Sequence, residues 1–294
     1  MKGMMVLGLV FGAVAVMGCG TSKQQVQGSA FSESDGIFSC KVGDFEVFMV
    51  VEAQREGNAG ILVGASEAIL QQFIPEAGFM HSTNVFLIKT PEKNILIDTA
   101  FGGFVEKMKR LGVEPGQIDT VLITHLHGDH FGGLQKDGEA VFSNAKVYVP
   151  AKDVDHFTRV QVNSGAVAAL APYGSNVETF EPANLGSTLS EIVPGISPIA
   201  AYGHTPGHTA YLVANGNDKL LIAADFLHVG LVQFPMPDIS ATYDMDAQAA
   251  AATRRQLLGY AEQHKIPIGG MHIVYPAVGT VEADGSGFRF VPRN

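Results

Sequence analysis

The sequence contains no tryptophan and only two cysteines, Cys19 and Cys40. Any aromatic pocket must therefore be built from phenylalanine and tyrosine, and neither a disulfide framework nor a cysteine-rich metal cage is available. Cations are scarce as well: Lys and Arg number 19 against 29 Asp and Glu, for a formal charge of −10. So acidic a surface repels nucleic acid, and no nucleic-acid partner is expected. Long hydrophobic runs are also missing. The leading apolar stretch, from about Met4 to Met17, falls short of the about 18 to 20 residues that a membrane span needs.

That stretch follows Lys2 and runs into Val16-Met17-Gly18-Cys19, which gives a charged start, a short apolar core and a small residue at a processing site. The tetrapeptide resembles a bacterial lipobox, implying a lipid on Cys19, and Gly20 after it resembles the outer-membrane sorting signal. Residues 1–19 are therefore expected to be a signal peptide and 20–40, rich in Ser, Gln and Gly, a flexible tether. Residues 41–294 are expected to form one domain, held by lipid at the periplasmic face of the outer membrane of a bacterial envelope. With Cys19 lipidated, Cys40 has no partner and reads as a half-buried structural thiol.

Apolar runs at Phe45 to Val51, Val85 to Ile88, Ile95 to Ile97, Val121 to Ile123, Val147 to Val149, Tyr211 to Val213 and Leu220 to Ala223 read as strands, several too uniformly apolar to have a wet face. Helices are expected at Phe104 to Leu111, Ala151 to Val160 and Asp246 to His264, the last capped by Asp244 or Asp246. The long connection Gln54 to Thr83 reads as an apolar flap over a site or a contact in a homodimer. The stretch Leu231 to Pro237, with its two prolines, reads as a stiff wall.

The chemistry concentrates in His125-Leu126-His127-Gly128-Asp129-His130, which follows the strand-like Thr120 to Thr124. Four metal-capable side chains on one turn can converge on a divalent cation. His208, in Gly203-His204-Thr205-Pro206-Gly207-His208, Asp225 after Leu220 to Ala224, and His272 after Ile266 to Met271 each end an apolar run. Imidazole and carboxylate without thiolate suit zinc. Two such ions, about 3.5 to 4 Å apart, would share a hydroxide with its pKa lowered toward about 7.

This ordered set resembles the metallo-β-lactamase-fold hydrolases, and the resemblance runs from about Phe45 to Pro292. It implies an α/β fold, the αββα sandwich of two mixed sheets with outer helices, and a cofactor of two divalent ions, zinc being favoured. It also implies His125, His127 and His208 as ligands of the first ion, Asp129, His130 and His272 as ligands of the second, and Asp225 as the bridge. Asp98, ending Ile95-Leu96-Ile97, matches a supporting carboxylate that accepts a ligand imidazole's free N–H. His204 is expected behind the ligands, as a supporting residue. Asp129 is expected to relay a proton as well.

Around Asp225-Phe226-Leu227-His228-Val229 and Met271-His272-Ile273-Val274-Tyr275-Pro276 the sequence is similar to the branch containing methyl parathion hydrolase and related lactonases. Acyl-homoserine lactonases place a Tyr three residues after the bridging Asp; here that position is His228, a substitute donor to a developing oxyanion. Phe234 and Tyr275 are pocket candidates, and His81 reads as a turn or surface residue. The resulting expectation is a dinuclear zinc hydrolase acting on a small lactone or carboxylic ester. Phosphotriester and β-lactam hydrolysis are the alternatives within enzymology, and a non-enzymatic metal-binding lipoprotein stands outside it.

Overall fold

Residues 35–293, apart from residue 77, are described by a computed structural model. The signal peptide, Cys19 and most of the expected tether lie outside the described residues. Seven strands follow one another across the first sheet: β1 (Ile37–Val42), β2 (Phe45–Glu56), β3 (Met80–Lys89), β4 (Asn94–Ile97), β5 (Thr120–Leu122), β6 (Lys146–Pro150) and β7 (Val177–Phe180). β1 to β4 pair antiparallel and β4 to β7 parallel. The second sheet, also in chain order, holds β8 (Ile196–Ala200), β9 (Thr209–Asn215), β10 (Asp218–Ile222), β11 (Ile268–Gly269), β12 (Val278–Asp284) and β13 (Gly287–Pro292). Each half of the chain thus supplies one sheet. β1 starts at Ile37, so the body of the fold begins inside the 20–40 segment expected as tether; Ile37 to Cys40 are held by pairing with β2.

The uniformly apolar runs are explained by burial on both faces. Along β3, Phe86 and Ile88 enter the core between the sheets, while Val85 and Leu87 enter a second core beneath the outer helices. Side chains alternate along a strand, so a strand covered on both sides must be apolar throughout. The helices are α1 (Glu67–Phe73), α2 (Val105–Arg110), α3 (Gly128–Phe131), α4 (Ala151–Asp155), α5 (Ser164–Leu170), α6 (Gly230–Gln233) and α7 (Ala247–His264). Phe104, Met108, Phe157 and Ala166 cover the first sheet, and Leu257, Leu258 and Ala261 of α7 cover the second. The result is the αββα sandwich. Asp246 caps α7 by accepting from Ala249 N–H, a bond worth about 1 kcal/mol. The expected helix Ala151 to Val160 divides, with α4 followed by one wider turn over His156–Val160.

The expected flap is less loose than its length suggests. β2 and β3 extend into it, and Ile61, Ile69, Phe73 and Phe79 pack with Val229, Val232 and Ile239 as a small third core. The flap and the proline-bounded wall are therefore one packed unit. Cys40 is half-buried, and its burial pushes the thiol up to about 11, which keeps it protonated and unreactive at neutral pH.

Sheet register fixes which end of the sandwich carries function. Val85 pairs with Val50, Val50 pairs with Ile37, and β4 stops opposite Phe86 at Ile97, one residue before Asp98. Asp98, the 125–130 turn, Asp225 and His272 all leave the strands at this same end. Asp98 and Ala224 turn away from their strands with φ of 61° and 51°, a left-handed conformation that costs non-glycine residues about 1 to 2 kcal/mol.

Candidate metal centre

Five ring nitrogens converge where the two sheets meet. His125 Nε2 lies 3.1 Å from His127 Nδ1, which lies 2.9 Å from His204 Nε2. Tetrahedral nitrogen ligands at zinc distances stand about 3.3 Å apart, so these three fit one ion with slight relaxation. A second set forms from Asp129, His130 and His272, with His272 Nε2 3.5 Å and His130 Nε2 3.7 Å from the Asp129 carboxylate. Asp225 stands between the sets. Its Oδ2 is 3.0 Å from His272 Nε2, 3.4 Å from His204 Nε2 and 3.8 Å from His125 Nε2, and its Oδ1 is 3.2 Å from His130 Nε2.

The donor atoms are prepared for cations. His125 Nδ1 donates to Thr124 Oγ1, Thr124 Oγ1 donates to Asp98 Oδ2, and His130 Nδ1 donates to Asp98 Oδ2 at 2.7 Å. His272 Nδ1 donates to the Ser82 carbonyl and His204 Nδ1 to Asp244 Oδ1. Each bond places the proton on the outward nitrogen and leaves the inward lone pair free. Asp225 Oδ1 and His130 Nε2 are buried and face each other at 3.2 Å without a well-directed hydrogen bond to any described residue, an arrangement that a bound cation would relieve. Burial and the neighbouring His130 hold His125 well below the usual imidazole range. Burial opposes charge on His130 too, but the carboxylates of Asp225, Asp98 and Asp129 outweigh it and raise that pKa well above normal. The second set is therefore a well of negative potential. These residues fit two divalent ions.

At the Gly203-His204-Thr205-Pro206-Gly207-His208 loop the structure gathers His204, rather than His208, with His125 and His127. His208 is not among the converging groups. Its Nδ1 donates to the Ala201 carbonyl and its Nε2 accepts the Asp225 backbone N–H at 3.0 Å, so both ring nitrogens are already used. His204, expected behind the ligands, completes the first set, and Asp244, considered only as a helix cap, holds it. Asp244 Oδ2 in turn accepts from Ala241 N–H and lies 3.6 Å from the fully buried guanidinium of Arg254.

Two glycines explain why this loop can reach the site. A Cβ at Gly203, whose φ is +127°, would collide with Ala250 of α7, and one at Gly207 would meet Asp153. Asp153, at the start of α4, accepts from Leu126 N–H, Thr205 Oγ1 and Gly207 N–H, so one buried carboxylate ties the 125–130 turn to the 203–208 loop. Sequence reasoning missed both Asp153 and Asp244. Asp153 lies within α4 and Asp244 in the turn before α7, and neither position carries a local signal of its role.

His81 is also placed differently: it is buried on β3 with its ring 4.5 Å from that of His272, and burial drives its pKa down to about 3. His228 lies over Asp225, with Nε2 3.4 Å from Oδ2. Gln233 Oε1 accepts the backbone N–H groups of His228 and Val229 and fixes that loop.

The mouth of the centre is a cavity of 340 Å³ lined by His127, Asp129, His204, His228 and His272, with Phe101 and Tyr243 at its edge. Beside it an apolar cavity of 670 Å³ is lined by Phe73, Phe79, Phe234, Tyr275, Phe288 and Phe290. His228 and His272 belong to both. Phe234 and Tyr275 are among the lining residues of this second cavity. Tyr243, whose ring is 5.5 Å from that of His228, is an additional residue at the mouth.

Converging imidazoles, a shared buried carboxylate and an adjoining apolar cavity define a metal-dependent hydrolase site. The chain belongs to the metallo-beta-lactamase superfamily, whose family model matches residues 79–264. It is 26% identical to "Probable metallo-hydrolase YflN" of Bacillus subtilis, over 64% of this chain and 82% of that protein. It is likewise 26% identical to an N-acyl homoserine lactonase of Bacillus cereus, over 51% of this chain and 54% of that one. Among solved structures, hydrolase AbOPH in the beta lactamase superfamily superimposes with a TM-score of 0.79 at 26% identity, over 88% of this chain and 98% of that one.

Proposed function

We propose that this protein is a dinuclear zinc hydrolase of lactones or carboxylic esters with a substantial apolar part. The observation that carries the reading is the meeting of the two cavities at His228 and His272. An acyl or leaving group can lie among Phe234, Phe288 and Phe290 while the reacting carbonyl reaches the paired donor sets. The partial sequence similarity to an N-acyl homoserine lactonase supports the same choice.

His125, His127 and His204 hold one ion, Asp129, His130 and His272 the other, and Asp225 joins them. When bound, the ions supply Lewis acidity for the substrate oxygen and a nucleophile at neutral pH. The protein's own groups do the rest. His228 lies over Asp225, with Nε2 3.4 Å from Oδ2, and lines both cavities, so its imidazole can donate to the carbonyl oxygen as negative charge develops there. As the C–O bond to the leaving alkoxide breaks, a proton must reach that oxygen. The Asp129 side chain is 25% exposed to the mouth, whereas that of Asp225 is 3% exposed, and Asp129 serves as the relay. The phenylalanines displace water from the reacting group. We further propose that the protein is tethered to the bacterial outer membrane through lipid on Cys19.

The test is proton release by the zinc-loaded full chain with an aliphatic lactone, an aryl ester, a cephalosporin and an aryl phosphotriester. Fastest turnover is expected on the lactone or ester. A phosphotriester or cephalosporin preference overturns the reading and leaves a hydrolase of the other kind.

A further inference from the structure

We infer that the metal-bearing end of the sandwich docks on a lipid bilayer, so that the catalytic mouth opens against the membrane surface. The exposed large hydrophobic side chains are distributed very unevenly. Of the ten large hydrophobic side chains exposed among the described residues, six, Phe101 (by 62%), Met80, Leu231, Tyr243, Met245 and Val274, belong to the metal end, and the other four, Val63, Val160, Val162 and Val167, lie in the flap and in the 156–170 segment that covers the first sheet. Phe101 lies three residues after Asp98, Val274 two after His272, Leu231 three after His228, and Tyr243 and Met245 flank Asp244. Met80 is two residues from Ser82, whose carbonyl holds His272.

The far end of the strands, at the turns around Gly43, Asn217 and Lys265, has no exposed large hydrophobic among the described residues. It carries Lys41, Lys219, Lys265 and Arg293 around a separate cavity.

Where the chain enters the fold indicates what covers the apolar rim. Ile37 pairs with Val50 at the metal end, the Gly36 carbonyl accepts Val51 N–H, and the adjoining Glu52 carboxylate accepts from Phe101 N–H. Resting on the lipid proposed for Cys19, the chain would come from the bilayer into the fold at this end, through residues 20–34 that span at most about 50 Å. The cations of the far end would draw that end, and not the rim, toward anionic headgroups, so docking of the rim is driven by insertion of its apolar side chains. A substrate dissolved in the membrane would then reach the Phe-lined cavity without crossing bulk water. The inference does not depend on which ester or lactone is hydrolysed.

Because the sequence has no tryptophan, Phe101→Trp and Asn217→Trp in the full chain each introduce a single reporter, one at each end. Both are reconstituted into phosphatidylethanolamine–phosphatidylglycerol vesicles, with and without brominated acyl chains, at low and high salt. Blue-shifted emission from Phe101→Trp, quenched at least about two-fold by brominated lipid at either salt concentration, with Asn217→Trp unaffected, is the expected result. Quenching of Asn217→Trp alone, or of neither reporter, overturns the inference. So does a Phe101→Trp shift that follows protein concentration and ignores bromine, because the rim would then cover a second copy of the chain.

Discussion

His125, His127, Asp129 and His130 arrive on one continuous turn after β5, whereas His204, Asp225 and His272 come from three separate loops of the second sheet. The continuous turn is held by Asp98, which restrains His130 directly and His125 through Thr124. The separate loops are held individually: His204 by Asp244, His272 by the Ser82 carbonyl, and the Asp225 backbone by His208. Asp153 then ties the turn to the 203–208 loop. A site split this way gains its alignment from the packing of two sheets, so each half can be perturbed on its own.

Removing the residue that joins the halves should have the largest effect. Asp225→Ala takes away the oxygen atoms shared by both donor sets, and kcat/KM is expected to fall at least about 1,000-fold, roughly 4 kcal/mol of transition-state stabilisation. Elemental analysis should show bound metal reduced by about half or more. A variant that kept its full metal content and activity would show that the halves act independently.

Next comes the choice between the two histidines of one loop. His204→Ala should remove the ion of the first set and lower kcat/KM by about 100-fold or more. His208→Ala should keep its metal. It leaves the buried Asp225 N–H and the Ala201 carbonyl without partners, so a loss of about 2 to 4 kcal/mol in urea unfolding is expected. Metal loss from His208→Ala with retention in His204→Ala would favour the sequence assignment of His208 as the ligand.

A smaller effect should separate the supports. Asp98→Asn and Asp244→Asn each weaken the orientation and basicity of an imidazole, for about 10- to 100-fold in metal affinity. Asp98 should act mainly on the second set and Asp244 on the first, which competition with a chelator in cobalt-substituted protein would resolve. Asp244→Asn should also lower stability, because it removes a negative charge beside the buried Arg254.

The same split explains what could be seen in the sequence. The 125–130 turn was legible because its donors are neighbours in the chain and its strand is apolar on both faces. Asp225 and His272 were legible because each stands at the end of an apolar run. His204 and His208 were not separable: two histidines four apart in a loop offer equal chemistry, and only the register of β9 and the Asp225 backbone decide which ring turns inward. Asp153 and Asp244 act across the gap between elements distant in sequence, so no periodicity or spacing reveals them. The strand edges of β2 and β3 were also read too short, because Ala53 to Glu56 and Met80 to Ser82 gain their order from pairing with each other rather than from apolar side chains.

A last test asks whether the His208 ring works as the neutral strut that the comparison requires. Burial holds His208 down to about 4 in the folded protein, against about 6.5 when unfolded. Between these values the unfolded chain binds a proton that the folded chain refuses. The contribution is therefore fully present above about pH 6.5 and is lost as pH falls toward 4, by up to on the order of 3 kcal/mol. His208→Gln keeps a donor and an acceptor but does not titrate. In metal-free protein, the variant should be less stable than wild type near neutrality, yet lose less on acidification from about pH 7 to about pH 4.5. His127 and His81, also depressed by burial, act equally in both proteins and cancel in the difference. Parallel acid profiles would mean that His208 already carries a proton in the fold, and its bond to the Asp225 N–H could not then position the bridging carboxylate.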